Sequence, residues 1–296
     1  MSSTRIAFAD FWPDFCAEDW FLPLLRRVLG EDGVVAVHPD DTPDVLVFSV
    51  FGPKYQSFEH TSVRRVFYSG ENIMRDARPN DFALTFDIDA DTTRHERVPL
   101  WHLYTEDVDA VHCEDQLRRW GLSTQAKTTP QRSRFCTWVA SAQCSGRNQF
   151  IQQLSAAVAP VACGGRQLNN VGGPVADKQS FLQTSRFSMA MENASRPGYC
   201  TEKLLHAFRA GCIPIYWGDP EVCRDFNPDA FINVHDFETY SALWAHIKTI
   251  EQSASLMTAM LQAPIFSDAC HHRLSAGKRD WEKTIVHGIL GRGHVH

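Results

Sequence analysis

The chain lacks the long apolar segments that are typical of membrane proteins. No stretch approaches the roughly 18 uncharged apolar residues that a membrane-spanning helix needs. The opening residues, MSSTRIAFADFWPDF, contain no basic segment followed by an apolar run. We therefore expect no integral membrane segment and no secretion signal, and the sequence favours a cytoplasmic protein.

Several cofactor and cross-link signatures are absent as well. The sequence contains neither the GxxxxGK[ST] loop of P-loop enzymes nor the GxGxxG fingerprint of dinucleotide-binding folds. Its nine cysteines are scattered, and no two are spaced as CxxC. Because intracellular redox conditions keep such thiols reduced, we expect free and mostly buried cysteines.

Positive charge is not in excess. The 29 basic and 35 acidic residues give a formal net charge of −6, which disfavours nucleic acid as a partner but is compatible with a local basic pocket for one nucleotide. With 296 residues, 44% of them hydrophobic, the chain is long enough for two medium domains, each with a buried core.

Short apolar runs alternate with helical patterns along the whole chain. This alternation is typical of βα units and parallel sheets. A polar stretch at residues 123–134 interrupts the pattern, so we predict an α/β fold with two Rossmann-like halves that face a cleft. The expected domains are residues 1–130 and 131–296, with terminal helices that could pack back on the first domain. Predicted strands include Ile6–Ala9, Val45–Val50, Val66–Ser69, Phe82–Thr85, Phe135–Val139, one near Val158, Phe187–Met191 and Ile213–Trp217.

The segment from Phe187 to Val222 is the most informative part of the sequence. It predicts a strand that ends before Glu192-Asn193, a loop, a helix over about 201–210 and a second strand. Thr201 suits the N-cap of the helix and Gly211 its C′ position. In parallel sheets ligands bind beyond the carboxyl ends of the strands, so the polar residues after these strands are candidates for a site.

Tyr199, Glu202 and Lys203 cluster at the start of this helix, where free amide groups and the helix dipole favour an anion such as a diphosphate. Lys203 could add a positive charge, Tyr199 a hydroxyl donor, and Glu202 a carboxylate that accepts hydrogen bonds from a ribose diol. On spacing alone, a solvated surface pair of Glu202 and Lys203 is the favoured explanation of the pattern.

The segment resembles the signature of glycosyltransferase family 10, the α1,3/α1,4-fucosyltransferases. The matching elements are Phe187, Glu192-Asn193, the YCTEK run at 199–203 and the IPIYWG run at 213–218. The resemblance extends to GRNQF, which begins at Gly146, to LNNVGG at 168–173 and Lys178, and to RRVFYSGEN at 64–72.

The resemblance implies a GT-B architecture with an N-terminal acceptor half and a C-terminal GDP-fucose half. It implies that L-fucose is transferred from GDP-fucose, with inversion at the anomeric carbon, to an oligosaccharide or glycoconjugate acceptor. The accepting hydroxyl would be O3 of N-acetylglucosamine or glucose in a β-galactoside-containing glycan. No cofactor and no metal would be required. Glu71 would be the catalytic base. The residues that would contact or line the nucleotide site are Arg147, Glu192, Asn193, Tyr199, Glu202 and Lys203.

Two other functions stay open. The overlapping DxD sequences at Asp87–Asp91 suggest a metal-dependent glycosyltransferase of another class, although a solvated acidic turn explains them too. A GDP-sugar-binding protein without turnover is the second alternative. The dense Cys270-His271-His272 run has no second ligand pair at zinc-site spacing, so we interpret it as surface helix residues.

Overall fold

The computed structural model describes residues 3–88, 93–104, 132–143 and 145–292. Contacts divide the chain into two compact units, residues 1–106 with 272–296 and residues 107–271. The expected boundary between residues 130 and 131 lies outside the described residues. It stays a prediction.

Strands and helices alternate in both units. The strands are β1 Thr4–Ala9, β2 Val34–Ala36, β3 Val45–Phe48, β4 Arg64–Tyr68, β5 Phe82–Thr85, β6 His95–Arg97, β7 Arg134–Trp138, β8 Val161–Cys163, β9 Ser185–Met191, β10 Ile213–Trp217 and β11 Ile232–Asn233. The α-helices are α1 Phe21–Leu29, α2 Ser145–Ala157, α3 Lys178–Leu182, α4 Glu202–Arg209, α5 Tyr240–Glu251, α6 Ala254–Gln262, α7 Asp268–Leu274 and α8 Lys278–Leu290.

The first unit contains a parallel sheet in the order β2-β1-β3-β4-β5-β6. Alternate residues of a strand point to opposite faces of the sheet, and the central strand β3 is buried at every position, so both of its faces are covered. Along β3, Val45 and Val47 belong to one hydrophobic cluster, while Leu46 and Phe48 belong to the other. This explains why β3 is a continuous apolar run.

The C-terminal helix α8 packs in the first unit against α1 and β6. Its residues Ile285 and Ile289 are fully buried in the same cluster as β1. Close approach to the sheet requires glycine at 288, because a Cβ atom there would lie 2.1 Å from Cζ of Phe82. The Arg27 guanidinium donates to the Glu282 carboxylate at 2.7 Å and ties α1 to α8.

The second unit contains a parallel sheet in the order β11-β10-β9-β7-β8. Its strand β10 has the bounds that the sequence predicts, Ile213–Trp217. The strand predicted near Val158 is displaced and begins at Val161. The Val158 amide still donates to the Leu154 carbonyl at 2.9 Å, so the helical turn continues through this residue. The short elements β6, β11 and α3 were not predicted.

Seven cysteines lie in the described residues, and none of the seven forms a disulfide. Cys16 and Cys223 are exposed. The five buried thiols are Cys136, Cys163, Cys200, Cys212 and Cys270. In the part of the chain that the structure describes, every helix is too short or too polar to cross a membrane.

Candidate active site

The carboxyl ends of the neighbouring strands β9 and β10 form the base of the candidate site. Met191 pairs with Trp217 at this end, and the Glu192 amide extends the pairing by donating to the Trp217 carbonyl at 2.8 Å. Glycine is required at 218, since a Cβ atom there would lie 2.4 Å from Cγ of Glu192. The two strand ends therefore place Glu192 at a fixed position in the sheet edge.

The Glu192 side chain is fully buried and accepts three hydrogen bonds. Its Oε1 accepts from the Thr201 amide at 2.8 Å, and its Oε2 accepts from the Thr201 hydroxyl at 2.7 Å and from Lys203 Nζ at 3.0 Å. Thr201 occupies the predicted N-cap position of α4, but its hydroxyl makes no capping bond. The predicted N-cap position is confirmed, but the hydroxyl donates to Glu192 and accepts from Lys203 Nζ, so it does not accept from a helix amide.

Lys203 lies in the first turn of α4 and joins the buried carboxylate to the helix. Its ammonium group also donates to the Thr201 hydroxyl at 2.8 Å. Burial works to lower the pKa of Lys203, but the carboxylates of Glu192 and Glu202 outweigh it, so the pKa is raised. An ammonium group has three donors, so these two bonds leave one N–H for a ligand.

Glu202 stands between two lysines. Its Oε1 lies 3.8 Å from Lys203 Nζ and 4.0 Å from Lys178 Nζ. Burial works to raise the pKa of Glu202, but the two ammonium groups outweigh it, so the pKa is lowered. Lys178 Nζ also lies 3.0 Å from Nδ1 of His206. Burial, together with this cation, lowers the pKa of His206 to about 4, so the imidazole is neutral at pH 7.

Arg147 lies in the first turn of α2, and its side chain reaches the same sheet edge. It is 3% exposed. Its two terminal nitrogens donate to the carbonyls of Ala142 at 3.1 Å and Met191 at 3.4 Å. Its buried Nε has no hydrogen-bond partner among the described residues. A guanidinium carries five N–H donors, so Arg147 keeps donors available for an anion beside Glu192.

The loop between β9 and α4 is held by a residue that the sequence reasoning missed, Asp219. Its Oδ1 accepts from the Gly198 and Glu221 amides, both at 2.8 Å. Gly198 has a positive φ of 82°, which glycine adopts without strain. Next to it, Tyr199 is 1% exposed. The same side chain makes a minor contribution to the raised pKa of Lys203.

The second unit thus brings together five of the six residues that the sequence predicts for nucleotide binding: Arg147, Glu192, Tyr199, Glu202 and Lys203. The sixth, Asn193, is exposed directly after Glu192. Sequence reasoning missed Lys178, His206 and Asp219 as members of this cluster. Asp219 was detectable, because it follows the carboxyl end of β10, where ligand-binding and loop-holding residues concentrate.

Glu71 lies in the first unit, in the turn after β4, and its side chain is exposed. Its amide donates to the Ser69 hydroxyl at 3.2 Å, and that hydroxyl in turn lies 3.1 Å from the Glu71 carbonyl. These short-range contacts fix the backbone of the turn and leave the carboxylate outside them. Burial, with smaller contributions from the charges of Tyr104 and Glu71, raises the pKa of the nearby Tyr68 hydroxyl.

Only part of the DxD pair lies in the described residues. Asp87 Oδ2 accepts from the Arg75 amide at 2.9 Å and from the Thr85 hydroxyl at 2.6 Å, so this carboxylate holds a turn. Residues 89–91 lie outside the described part. Among the described residues, no group of three His, Cys, Asp or Glu side chains is arranged to hold a metal ion.

Comparison with known proteins gives consistent results for both units. Residues 6–104 match the family described as "Alpha-(1,3)-fucosyltransferase FucT N-terminal domain". Residues 129–262 match "Glycosyltransferase family 10 (fucosyltransferase) C-term". The alpha-(1,3)-fucosyltransferase FucT of Helicobacter pylori is 29% identical over 283 residues, which cover 87% of this chain and 59% of the relative. Alpha-(1,3)-fucosyltransferase B of Drosophila melanogaster is 23% identical over 72% of this chain and 48% of its own length.

A solved structure, titled "Crystal Structure of alpha1,3-Fucosyltransferase with GDP-fucose", is 25% identical to this chain with a TM-score of 0.74. The match covers 99% of this chain and 92% of that one. Together with the two parallel sheets, it confirms the predicted α/β fold of GT-B type with two Rossmann-like halves. The chain spans about three-fifths of the Helicobacter relative, 59%.

Proposed function

Since the chain belongs to glycosyltransferase family 10, we propose that it transfers L-fucose from GDP-β-L-fucose to a sugar hydroxyl with inversion. The proposed acceptor is O3 of N-acetylglucosamine or glucose in a β-galactoside-containing glycan. The observation that carries this proposal is the cationic cluster at the ends of β9 and β10. There Arg147 and Lys203 keep N–H donors beside the first turn of α4.

In this proposal the second unit binds the GDP part of the donor. Arg147 and Lys203 donate to the diphosphate, and the uncapped amides of the first turn of α4 add their dipole. Glu202 accepts hydrogen bonds from the ribose diol, while Tyr199, Glu192 and Asn193 line the nucleotide site. Because Glu192 already accepts three bonds, its main effect would be to hold Lys203 and Thr201 in place.

The reaction is a displacement at the anomeric carbon of fucose. The acceptor hydroxyl oxygen forms the new C–O bond, and the bond from carbon to the β-phosphate oxygen breaks, so that its electron pair leaves with GDP. Glu71 takes the hydroxyl proton as the bond forms. The positive groups around the diphosphate stabilise the negative charge that develops on the leaving group, so we propose that no metal ion is required.

Incubation with GDP-fucose and a panel of glycans, followed by linkage analysis of the product, tests the proposal. An α1,3-linked fucose on a β-galactoside-containing acceptor is the expected result. Activity that EDTA abolishes and manganese restores would favour a metal-dependent transferase instead. Binding of GDP-fucose without release of GDP, across all acceptors, would favour a non-catalytic sugar-nucleotide-binding protein.

A further inference from the structure

A group of aromatic side chains lies at the carboxyl edge of the sheet in the first unit. Phe11 and Trp12 follow β1, and Phe51 follows β3. Since β1, β3 and β4 are neighbours in the sheet, these rings share an edge with Glu71, which follows β4. The edge therefore presents a carboxylate and aromatic rings on adjacent loops.

The rings form a continuous row that we call the aromatic row: Tyr68, Phe11, Trp12 and Phe51. Phe11 stacks on Tyr68 with ring centroids 5.9 Å apart and planes inclined by 12°. The ring centroids of Trp12 and Phe11 are 5.6 Å apart. Those of Phe51 and Trp12 are 6.3 Å apart, and the two ring planes are inclined by 80°. The row begins at the buried Tyr68, the last residue of β4, three positions before Glu71, and it ends at Phe51, which is 51% exposed.

Asp10 holds the exposed end of the row in place. Its φ of 59° lies in the left-handed region, which is unfavourable for a residue with a side chain. Its carbonyl accepts from the Phe51 amide at 2.8 Å, and its carboxylate accepts from the amides of Lys54 and Tyr55 at 2.9 Å. Three hydrogen bonds therefore join the loop with Trp12 to the loop with Phe51 and sustain the strained backbone.

We propose that Trp12 and Phe51 form a sugar-stacking subsite for the galactose unit of the acceptor. This proposal rests on the proposed function. In a galactopyranose the axial 4-hydroxyl leaves the C–H groups of C3, C4 and C5 together on one face, and that apolar face can pack on an aromatic ring. Two rings at a fixed angle cover about one sugar, and they are too small a surface for a stable protein interface. The opposite end of the aromatic row, Tyr68, lies close to Glu71 in the chain. With galactose on Trp12 and Phe51, the sugar that accepts fucose would therefore lie nearer Glu71.

Kinetics with two acceptors test the subsite. N-acetyllactosamine contains the galactose unit, and N-acetylglucosamine alone does not. For Phe51→Ala and Trp12→Ala, we expect KM for N-acetyllactosamine to rise about tenfold, the scale of a lost aromatic contact. The same variants should leave kcat and the KM for N-acetylglucosamine within about twofold. Phe51→Tyr keeps the ring and should behave like the wild-type protein. Val35→Ala, at another exposed apolar residue of the sheet (42% exposed), is the matched control.

Saturation-transfer NMR with lactose separates failure of the subsite from failure of the proposed function, because it reports contact without turnover. In the wild-type protein, the galactose C–H signals should receive saturation, and Phe51→Ala should lose them. A wild-type protein that transfers fucose while showing no galactose contact would overturn the subsite and leave the proposed function intact. Equal KM increases for both acceptors would also overturn it, since the rings would then act on the reacting sugar or on the fold.

Discussion

Replacement of Glu192 by glutamine tests whether this buried carboxylate organises the site. A glutamine has the same shape, but its side-chain amide offers one oxygen where Glu192 offers two. In either orientation of the amide, its NH2 group faces a donor, either the Thr201 amide or the pair formed by the Thr201 hydroxyl and Lys203. At least one buried donor then loses its acceptor, which costs about 1–3 kcal/mol.

Loss of the charge adds to this cost. Breaking a fully buried ion pair costs about 3–5 kcal/mol, but the Lys203 side chain is 24% exposed, so water compensates for part of the loss. We therefore expect Glu192→Gln to lower the free energy of unfolding by about 2–3 kcal/mol. For a unit of this size, the melting temperature should fall by about 5–10 °C.

Differential scanning calorimetry on the wild-type protein and two variants provides the assay. Glu202→Gln is the matched control, since it makes the same chemical change at the other carboxylate beside Lys203. Glu202 interacts with Lys203 and Lys178 at 3.8 and 4.0 Å, longer than hydrogen-bond distance, so its loss should cost about 1 kcal/mol or less. An unchanged melting temperature for Glu192→Gln, or equal losses in the two variants, would refute the organising role of Glu192.

Four further expectations concern the ligand sites and the pH dependence. Lys203→Ala or Arg147→Ala removes a charge-assisted bond worth about 1.5–3 kcal/mol, so calorimetry should show GDP affinity falling about tenfold or more; unchanged binding would exclude these residues from the site. Glu71→Gln should lower turnover about a hundredfold or more with GDP affinity preserved, and near-normal transfer would remove Glu71 as the base. EDTA should leave most of the activity intact. Burial lowers the pKa of His95 from 6.5 to about 4, so the unfolded chain binds a proton first as the pH falls. The free energy of unfolding should therefore decrease as the pH falls from 6.5 to about 4. In chemical denaturation experiments, His95→Gln should show a weaker dependence of this free energy on pH than the wild-type protein.

The regular parts of the fold could be predicted from the sequence because their patterns are strong. Continuous apolar runs such as Val45–Phe48 indicate buried parallel strands, and the positive φ of 65° at Gly211 matches the expected end of α4. The three-residue strand His95–Arg97 carries no apolar pattern. Its place in the sheet is set by pairing with β5, and such long-range pairing leaves no local signal in the sequence.

The site could be predicted to the extent that its residues are close in sequence. The run at 199–203 spans the end of one loop and the start of α4, so closeness in sequence alone places Tyr199, Glu202 and Lys203 near one another. Lys178 and His206 are 28 positions apart, and only the packing of α3 beside α4 unites them. The Thr201 hydroxyl donates to Glu192 and accepts from Lys203 Nζ, and it does not accept from an amide of its own helix. Composition and spacing do not predict which of these partners it takes.

The distribution of buried thiols makes the two units distinguishable to a chemical probe. All five buried cysteines of the described chain belong to the second unit, residues 107–271. Burial raises the pKa of Cys136, Cys200 and Cys212, which adds to their protection from alkylation in the native state. Pulsed alkylation of the buried cysteines under mild denaturation therefore monitors opening of the proposed donor-binding unit. The exposed Cys16 of the first unit reacts in the native state and serves as an internal reference for the reactivity of the reagent. The protein thus carries its own reporter for the opening of its second unit.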